Sequence, residues 1–257
     1  MNAPLLDGSL SLVMPAGRGP HPAVVLGAEA YGPNPFIHGV QGRLADLGYA
    51  SVVPDYYYGH GPTNRESYDQ FDEVIEHIAR LDFTRASREL ARAVDALQAS
   101  PEIDPRRVAV WGYCTGGTLA WLAACIRGDL AAAVLFFPSQ PVFEELGPAT
   151  PVHPVDLLWQ LTCPTLFIYG EDDFVMPPEL LEDVRTKIDR WGVDAEVRLY
   201  PGATHSFTAP WGDMRNEDAD RASGRTRPRS CRPIPTSAEP LTSPSARGEQ
   251  LAGARSG

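Results

Sequence analysis

The chain has 257 residues, 43% of them apolar, with 22 basic against 33 acidic side chains and only four cysteines. That is enough apolar material for a sizeable soluble core, and the net charge of -11 argues against a nucleic-acid partner. No apolar run approaches the roughly 18 residues of a membrane span, and the first residues lack a basic then apolar leader pattern, so a cytoplasmic protein with no membrane partner is expected.

Short runs rich in Val, Ile and Phe alternate with longer segments of helical periodicity. That alternation predicts an α/β protein with a mostly parallel central sheet and helices on both faces. In chain order, residues 10–13 read as an antiparallel edge strand, 23–26 as the first long strand, and 36–47 as a helix stopped by Gly48. A strand follows at 50–53, then a helix at 84–97 with apolar residues three and four apart. Residues 107–111 are strand, and 114–126 are a helix of nearly all small or apolar residues. Strands at 132–137 and 165–169, a helix at 178–191 stopped by Gly192, and a strand at 196–199 complete the pattern. Residues 216–223 begin like one more helix. From Gly224 the chain is built mainly of Gly, Pro, Ser, Thr, Ala and Arg without an aromatic residue, and six arginines there face two acids. Residues 1–223 therefore read as the folded domain and 224–257 as a solvated extension.

The strongest chemical signal is Val108-Ala-Val-Trp-Gly-Tyr-Cys114-Thr-Gly-Gly-Thr-Leu-Ala, a strand, a Gly-X-Cys-X-Gly turn and a helix in immediate succession. That is the layout of a nucleophile elbow, whose sharp turn lifts the central side chain above the sheet edge. Gly112, Gly116 and Gly117 remove the side chains that would collide there. At a helix N-terminus the macrodipole favours a thiolate, and the amide of Thr115 is free to stabilise an oxyanion. Cys125, Cys163 and Cys231 form no CxxC pair and have no histidine at zinc-ligand spacing, so they read as inert thiols, with no metal and no cofactor expected.

A cysteine nucleophile needs a base. His205, in Gly202-Ala-Thr-His-Ser-Phe after the last strand, has the right chain position, whereas His21, His38, His60, His77 and His153 read as surface histidines. Glu171, Asp172 and Asp173 follow the strand at 165–169 and supply the orienting acid, in the order nucleophile, acid, histidine. Of the three, Asp172 is the expected orienter. Glu29, at the end of the first long strand in Gly27-Ala-Glu-Ala-Tyr-Gly, reads as a general base, a ligand-binding acid or a satisfied loop carboxylate, the last carrying as much weight as the other two together.

With these segments together, residues 5–223 resemble the dienelactone hydrolase family, α/β-hydrolases with a cysteine nucleophile. GYCTGG is similar to the family's elbow, AEAYG to its glutamate motif, GEDDFVMPP to its aspartate loop and ATHSF to its histidine motif. The resemblance implies an α/β-hydrolase fold and a hydrolase that cleaves a small-molecule ester or lactone through a thioester. It implies Cys114 as nucleophile, His205 as base, Asp172 as orienter and Glu29 as the acid that holds or activates the cysteine. It further implies the backbone amides of Ala30 and Thr115 as the oxyanion hole. Members that open dienelactone hold its carboxylate with arginines, one of them four positions after the histidine, where this chain has Ala209. The stretch supplying the other arginine holds Glu66, Asp69, Asp72, Glu73 and Glu76, with Arg65 and Arg80 the nearby cations. A neutral ester or lactone is therefore expected, in a pocket to which Tyr56, Tyr57, Tyr58 and Trp211 can contribute. The competing reading is a non-catalytic relative that keeps the fold as a binding or scaffold protein.

Overall fold

A computed structural model describes residues 10–62, 71–209 and 214–223. Arg65, Glu66, Asp69, Trp211, Cys231 and the extension 224–257 lie outside the described residues.

Seven strands form one sheet: β1 (Leu10–Val13), β2 (His21–Gly27), β3 (Ala50–Pro54), β4 (Ile103–Tyr113), β5 (Ala133–Phe136), β6 (Thr165–Gly170) and β7 (Ala195–Tyr200). Their order is β1-β3-β2-β4-β5-β6-β7. Only β1 is antiparallel, pairing with β3 at the edge, as expected from its short sequence. The inner strands read as continuous apolar runs because both of their faces are covered. Val25, Val108, Val110, Leu135 and Phe167 are fully buried.

The helices are α1 (Pro35–Asp46), α2 (Phe71–Ala79), α3 (Phe83–Gln98), α4 (Thr115–Cys125), α5 (Pro178–Trp191) and α6 (Glu217–Ser223). Asn34 caps α1 through its side-chain oxygen, and Asp82 caps α3 in the same way. In α3 the buried Phe83, Ala86, Leu90, Ala93, Val94 and Leu97 make a single apolar stripe. That stripe packs on α4, which is buried all round. Gly192 stops α5 in the left-handed conformation, φ 62°. No helix among the described residues is long and apolar enough to cross a membrane.

Two elements lie where sequence reading left a gap. Helix α2 carries apolar residues at 71, 74, 75 and 78, a helical spacing within a stretch noted only for its acids. Its Val74 forms a small cluster with Ala30 and Tyr31. Pro154–Gln160 is a 3-10 helix packed against α4.

The strand order decides where a site can form. After β2 the chain steps outward to β3, and after β4 it steps the other way to β5. The connections leaving the paired carboxyl ends of β2 and β4 therefore diverge, opening the crevice where sheets of this type bind ligands. Glu29 follows β2 and Cys114 follows β4.

Candidate active site

Cys114 sits between β4 and α4 with φ 52° and ψ -121°. A side chain with φ in that range is strained, and the turn is held by backbone packed without room for a methyl group. A Cβ on Gly112 would come within 2.1 Å of the Gly116 carbonyl oxygen, and one on Gly116 within 2.0 Å of the Ala28 carbonyl oxygen. Gly112 lets the elbow fold tightly on itself, Gly116 lets it lie against the end of β2, and Gly117 lets it lie against the end of β5. Among the described residues, the other non-glycine positive φ values are at Tyr58, Phe137 and Ser206, which follow β3, β5 and β7. Strain is gathered along one edge of the sheet.

His205 reaches Cys114 from the loop after β7, with Nε2 3.2 Å from Sγ. Its other nitrogen, Nδ1, lies 3.0 and 3.1 Å from the two carboxylate oxygens of Asp173. The expected Asp172 does not fill that place. Strand β6 ends at Gly170, whose missing side chain lets it lie against the Ala203 carbonyl, and the chain then turns with Asp173 N–H donating to Gly170. Asp173 is turned inward and buried, also accepting from the Val175 amide at 2.9 Å, whereas Glu171 and Asp172 are exposed. Sequence offered three adjacent acids, and only the direction of this turn separates them.

The electrostatics follow from the geometry. Burial works against a thiolate at Cys114, but the His205 charge and hydrogen bond, aided by hydrogen bonds from Ser139 and Thr115, outweigh it and hold the thiol below its ordinary value. Burial also disfavours a charged His205, yet the Cys114 charge and the Asp173 hydrogen bond push it up to about 10. The two shifts act in the same direction, favouring transfer of the Cys114 proton to His205, whose ring is held from its other side by Asp173.

Around the pair lie groups that sequence reading did not single out. Ser139 follows β5, donates its amide to the Cys114 carbonyl at 3.3 Å, and places its hydroxyl 3.5 Å from Thr115 Oγ1. Phe137 lies edge-on to the His205 ring at 5.2 Å, and Phe174 lies 5.6 Å from it while remaining 71% exposed. No sequence pattern marks these, because their role comes from strands that meet only in the fold.

Glu29 is buried at the carboxyl end of β2, where its Oε1 accepts from Asn34 Nδ2 and its Oε2 from the Tyr31 amide at 3.4 Å. Ala30 and Thr115 are both buried on the two sides of the crevice. Tyr56 and Tyr57 are buried and their hydroxyls are bonded to the turn after β2, while Tyr58 stacks under the Arg85 guanidinium at 3.9 Å. Arg80 is exposed and paired with Glu76 on α2, and Ala209 is buried. Among the competing histidines, His153 accepts the Phe143 amide at 3.1 Å and His77 neighbours Glu73, both structural roles. Among the described residues, no group of three or more His, Cys, Asp or Glu side chains is arranged to hold a metal ion.

A cysteine sulfur against an imidazole, a carboxylate on that imidazole and a strained elbow at a sheet edge are groups that acyl transfer can use. The dienelactone hydrolase family profile matches residues 10–226. The chain belongs to the dienelactone hydrolase family. A Yersinia pestis relative, provisionally named carboxymethylenebutenolidase, is 31% identical over 196 residues, covering 75% of this chain and 71% of its own. A Bradyrhizobium relative, provisionally named 2-oxo-3-(5-oxofuran-2-ylidene)propanoate lactonase, is 26% identical over 76% of this chain and 77% of its own. A crystal structure of a Klebsiella pneumoniae subsp. pneumoniae MGH 78578 protein, described provisionally as a dienelactone hydrolase, superposes with a TM-score of 0.74 at 24% identity. It covers 84% of this chain and 95% of that one. The chain is thus a hydrolase with the α/β-hydrolase fold of this family.

Proposed function

We propose that this dienelactone hydrolase family member cleaves a neutral carboxylic ester or lactone, with Cys114 as nucleophile, His205 as acid and base, and Asp173 as orienter. The observation that carries the reading is the continuous contact from Asp173 through His205 to the Cys114 sulfur.

The Cys114 thiolate attacks the carbonyl carbon, and the carbonyl electron pair moves to oxygen, where the amides of Ala30 and Thr115 receive the charge. The carbon–oxygen bond then breaks, the His205 imidazolium gives its proton to the leaving alkoxide, and a thioester remains on Cys114. In a lactone that alkoxide stays tethered to the acyl group. Neutral His205 next takes a proton from water, the hydroxide adds to the thioester, and collapse expels the thiolate and restores the ion pair. Asp173 keeps Nδ1 protonated and Nε2 aimed at the sulfur throughout. No proton step is assigned to Glu29, whose carboxylate is engaged by Asn34 and the Tyr31 amide; its place is in the turn that carries Ala30.

Substrate charge is argued from the surroundings. The Ala209 side chain carries no charge and the Arg215 guanidinium on its carbonyl is paired with Glu217 and Asp220, Arg80 is bound to Glu76 in solvent, and Glu171 and Asp172 stand exposed beside the inward-turned Asp173. An acidic rim repels an anionic substrate, whereas the exposed Phe174 ring suits a neutral acyl or aryl group.

The test is rapid-mixing hydrolysis of an activated phenyl ester by the wild type and Cys114→Ala, with intact mass of the trapped enzyme. A burst and an acyl-sized mass increase, both lost in Cys114→Ala, are expected. A folded wild type with no Cys114-dependent turnover of any ester would overturn the reading in favour of a binding protein on the same fold.

A further inference from the structure

The turn that carries Ala30 is held from outside by two phenols whose hydroxyls have no part in the chemistry above. After β2, Gly32 N–H donates to the Glu29 carbonyl at 2.8 Å and closes a turn over Ala30 and Tyr31. That bond uses one lone pair of the Glu29 oxygen. The Tyr56 hydroxyl takes the other at 2.6 Å, with a longer reach of 3.2 Å to the Ala28 carbonyl. The Tyr57 hydroxyl holds the next carbonyl, that of Ala30, at 2.9 Å.

The Glu29 carbonyl and the Ala30 N–H belong to one peptide group. A trans peptide is planar with its C=O and N–H antiparallel, so fixing the oxygen fixes the direction in which the N–H points. We propose that Tyr56 is a positioning residue for the oxyanion hole, its hydroxyl locking the Glu29–Ala30 peptide plane so that the Ala30 amide meets the developing oxyanion. This rests on the hydrolase reading above. Two donors on one carbonyl also polarise the peptide and strengthen its N–H as a donor. Tyr56 is fully buried, and burial first, then Tyr57, Glu29 and Cys114, hold its hydroxyl protonated, so it stays a donor wherever the thiolate is active.

The position of Tyr56 is itself built. It lies in the turn after β3, which pairs in parallel with β2, so the two turns leave the same edge side by side. Asp55 braces that turn by accepting the Tyr57 and Gly59 amides at 3.1 and 3.2 Å. Tyr56 also packs on Tyr57 with ring centroids 4.5 Å apart, which places the ring independently of its hydroxyl.

The experiment compares Tyr56→Phe with wild type in two reactions of the same sulfur. Ester acylation builds an oxyanion, whereas alkylation by iodoacetamide displaces iodide from a saturated carbon and builds none. Tyr56→Phe should lower the acylation burst rate by roughly tenfold or more, less than the roughly 10²- to 10³-fold cost of losing a whole oxyanion donor because the donor is misaimed and not removed, with KM little changed. The alkylation rate of Cys114 and its pH profile should stay within twofold, which also reports a folded site. Tyr57→Phe, which frees the carbonyl of the following peptide, should cost the burst less.

An unchanged burst in Tyr56→Phe overturns the inference, as do parallel losses of acylation and alkylation, or equal losses in the two variants. Those results would mean a merely structural hydroxyl. Should Tyr56→Phe not fold, the wild-type ratio of ester to thiono-ester acylation decides instead, because sulfur in place of the carbonyl oxygen fits a fixed pair of donors poorly. A ratio near one would then overturn the inference by showing no rigid hole. Absence of any Cys114-dependent burst in the wild type is the separate failure of the hydrolase reading.

Discussion

The two ends of α4 carry the same side chain and oppose each other chemically. Cys114 caps the amino end and Cys125 is the last residue of the helix. Burial raises a thiol at both ends, and at Cys125 it wins, pushing that thiol well up with nearby Cys163 adding to the effect. At Cys114 the His205 charge overcomes burial. The helix reinforces the difference, because neither its first nor its last turn holds a charged side chain to offset the dipole. Its positive end faces Cys114 and its negative end Cys125. Cys125 instead directs its sulfur to the Leu157 carbonyl at 3.4 Å, as a packing thiol. Reactivity in this chain is therefore a property of position along one helix and of one partner, and a cysteine count says nothing about it.

The largest way to break the contrast is through the orienting acid. Asp173→Asn leaves the shape of the site but removes the charge that supports the imidazolium and lets an amide N–H donate to Nδ1, favouring the wrong His205 tautomer. Ester acylation should therefore fall by roughly 10²- to 10⁴-fold, in line with acid-to-amide changes in other triads. Asp172→Asn, one residue away and exposed, should stay within about twofold, a surface change with no partner in the site. Burst kinetics on both variants check this. Equal losses would return the role to the neighbouring acid.

That pair of variants also marks how much of the site was legible in the sequence. Cys114 and His205 could be placed because a strand, glycines and a helix surround the first, and a Pro-Gly turn after the last strand precedes the second. The strands and four helices follow from apolar spacing and from Gly48 and Gly192 as stops. Which acid faces His205 could not be read, since it depends on β6 ending at Gly170 and on the turn closing against Ala203. The hydroxyls of Tyr56 and Tyr57 were equally hidden. Their partners belong to a turn 27 residues away, brought beside them only by the pairing of β2 with β3.

A smaller effect sharpens the contrast by pH. With its pKa held down, Cys114 should keep its iodoacetamide reactivity below the pH at which an ordinary thiol loses it, falling only as protons reach the thiolate at lower pH. In His205→Ala the opposing charge is gone and burial prevails, so the reactivity midpoint should move to higher pH. Cys125 should remain unmodified in both proteins across the same range, since its thiol stays protonated and it is 6% exposed. Peptide mass mapping after timed alkylation reads the sites separately, and early modification of Cys125 would refute the assignment.

The smallest effect is at the far end of the helix. Cys125→Ala removes one sulfur from a packed environment that includes Trp121, so it trades a modest transfer loss against a small void. About 1 kcal/mol of stability should be lost, which for a folded unit of this size lowers Tm by about 2–4 °C. Ester turnover per folded molecule should be unchanged, because α4 keeps its amino end fixed through the glycine contacts at the elbow and not through its carboxyl end. A calorimetric scan and a burst amplitude on the same sample measure both quantities. A Cys125→Ala protein that kept its Tm but lost its burst would show that the two ends of α4 are coupled, and that the elbow is held in place by packing along the whole helix.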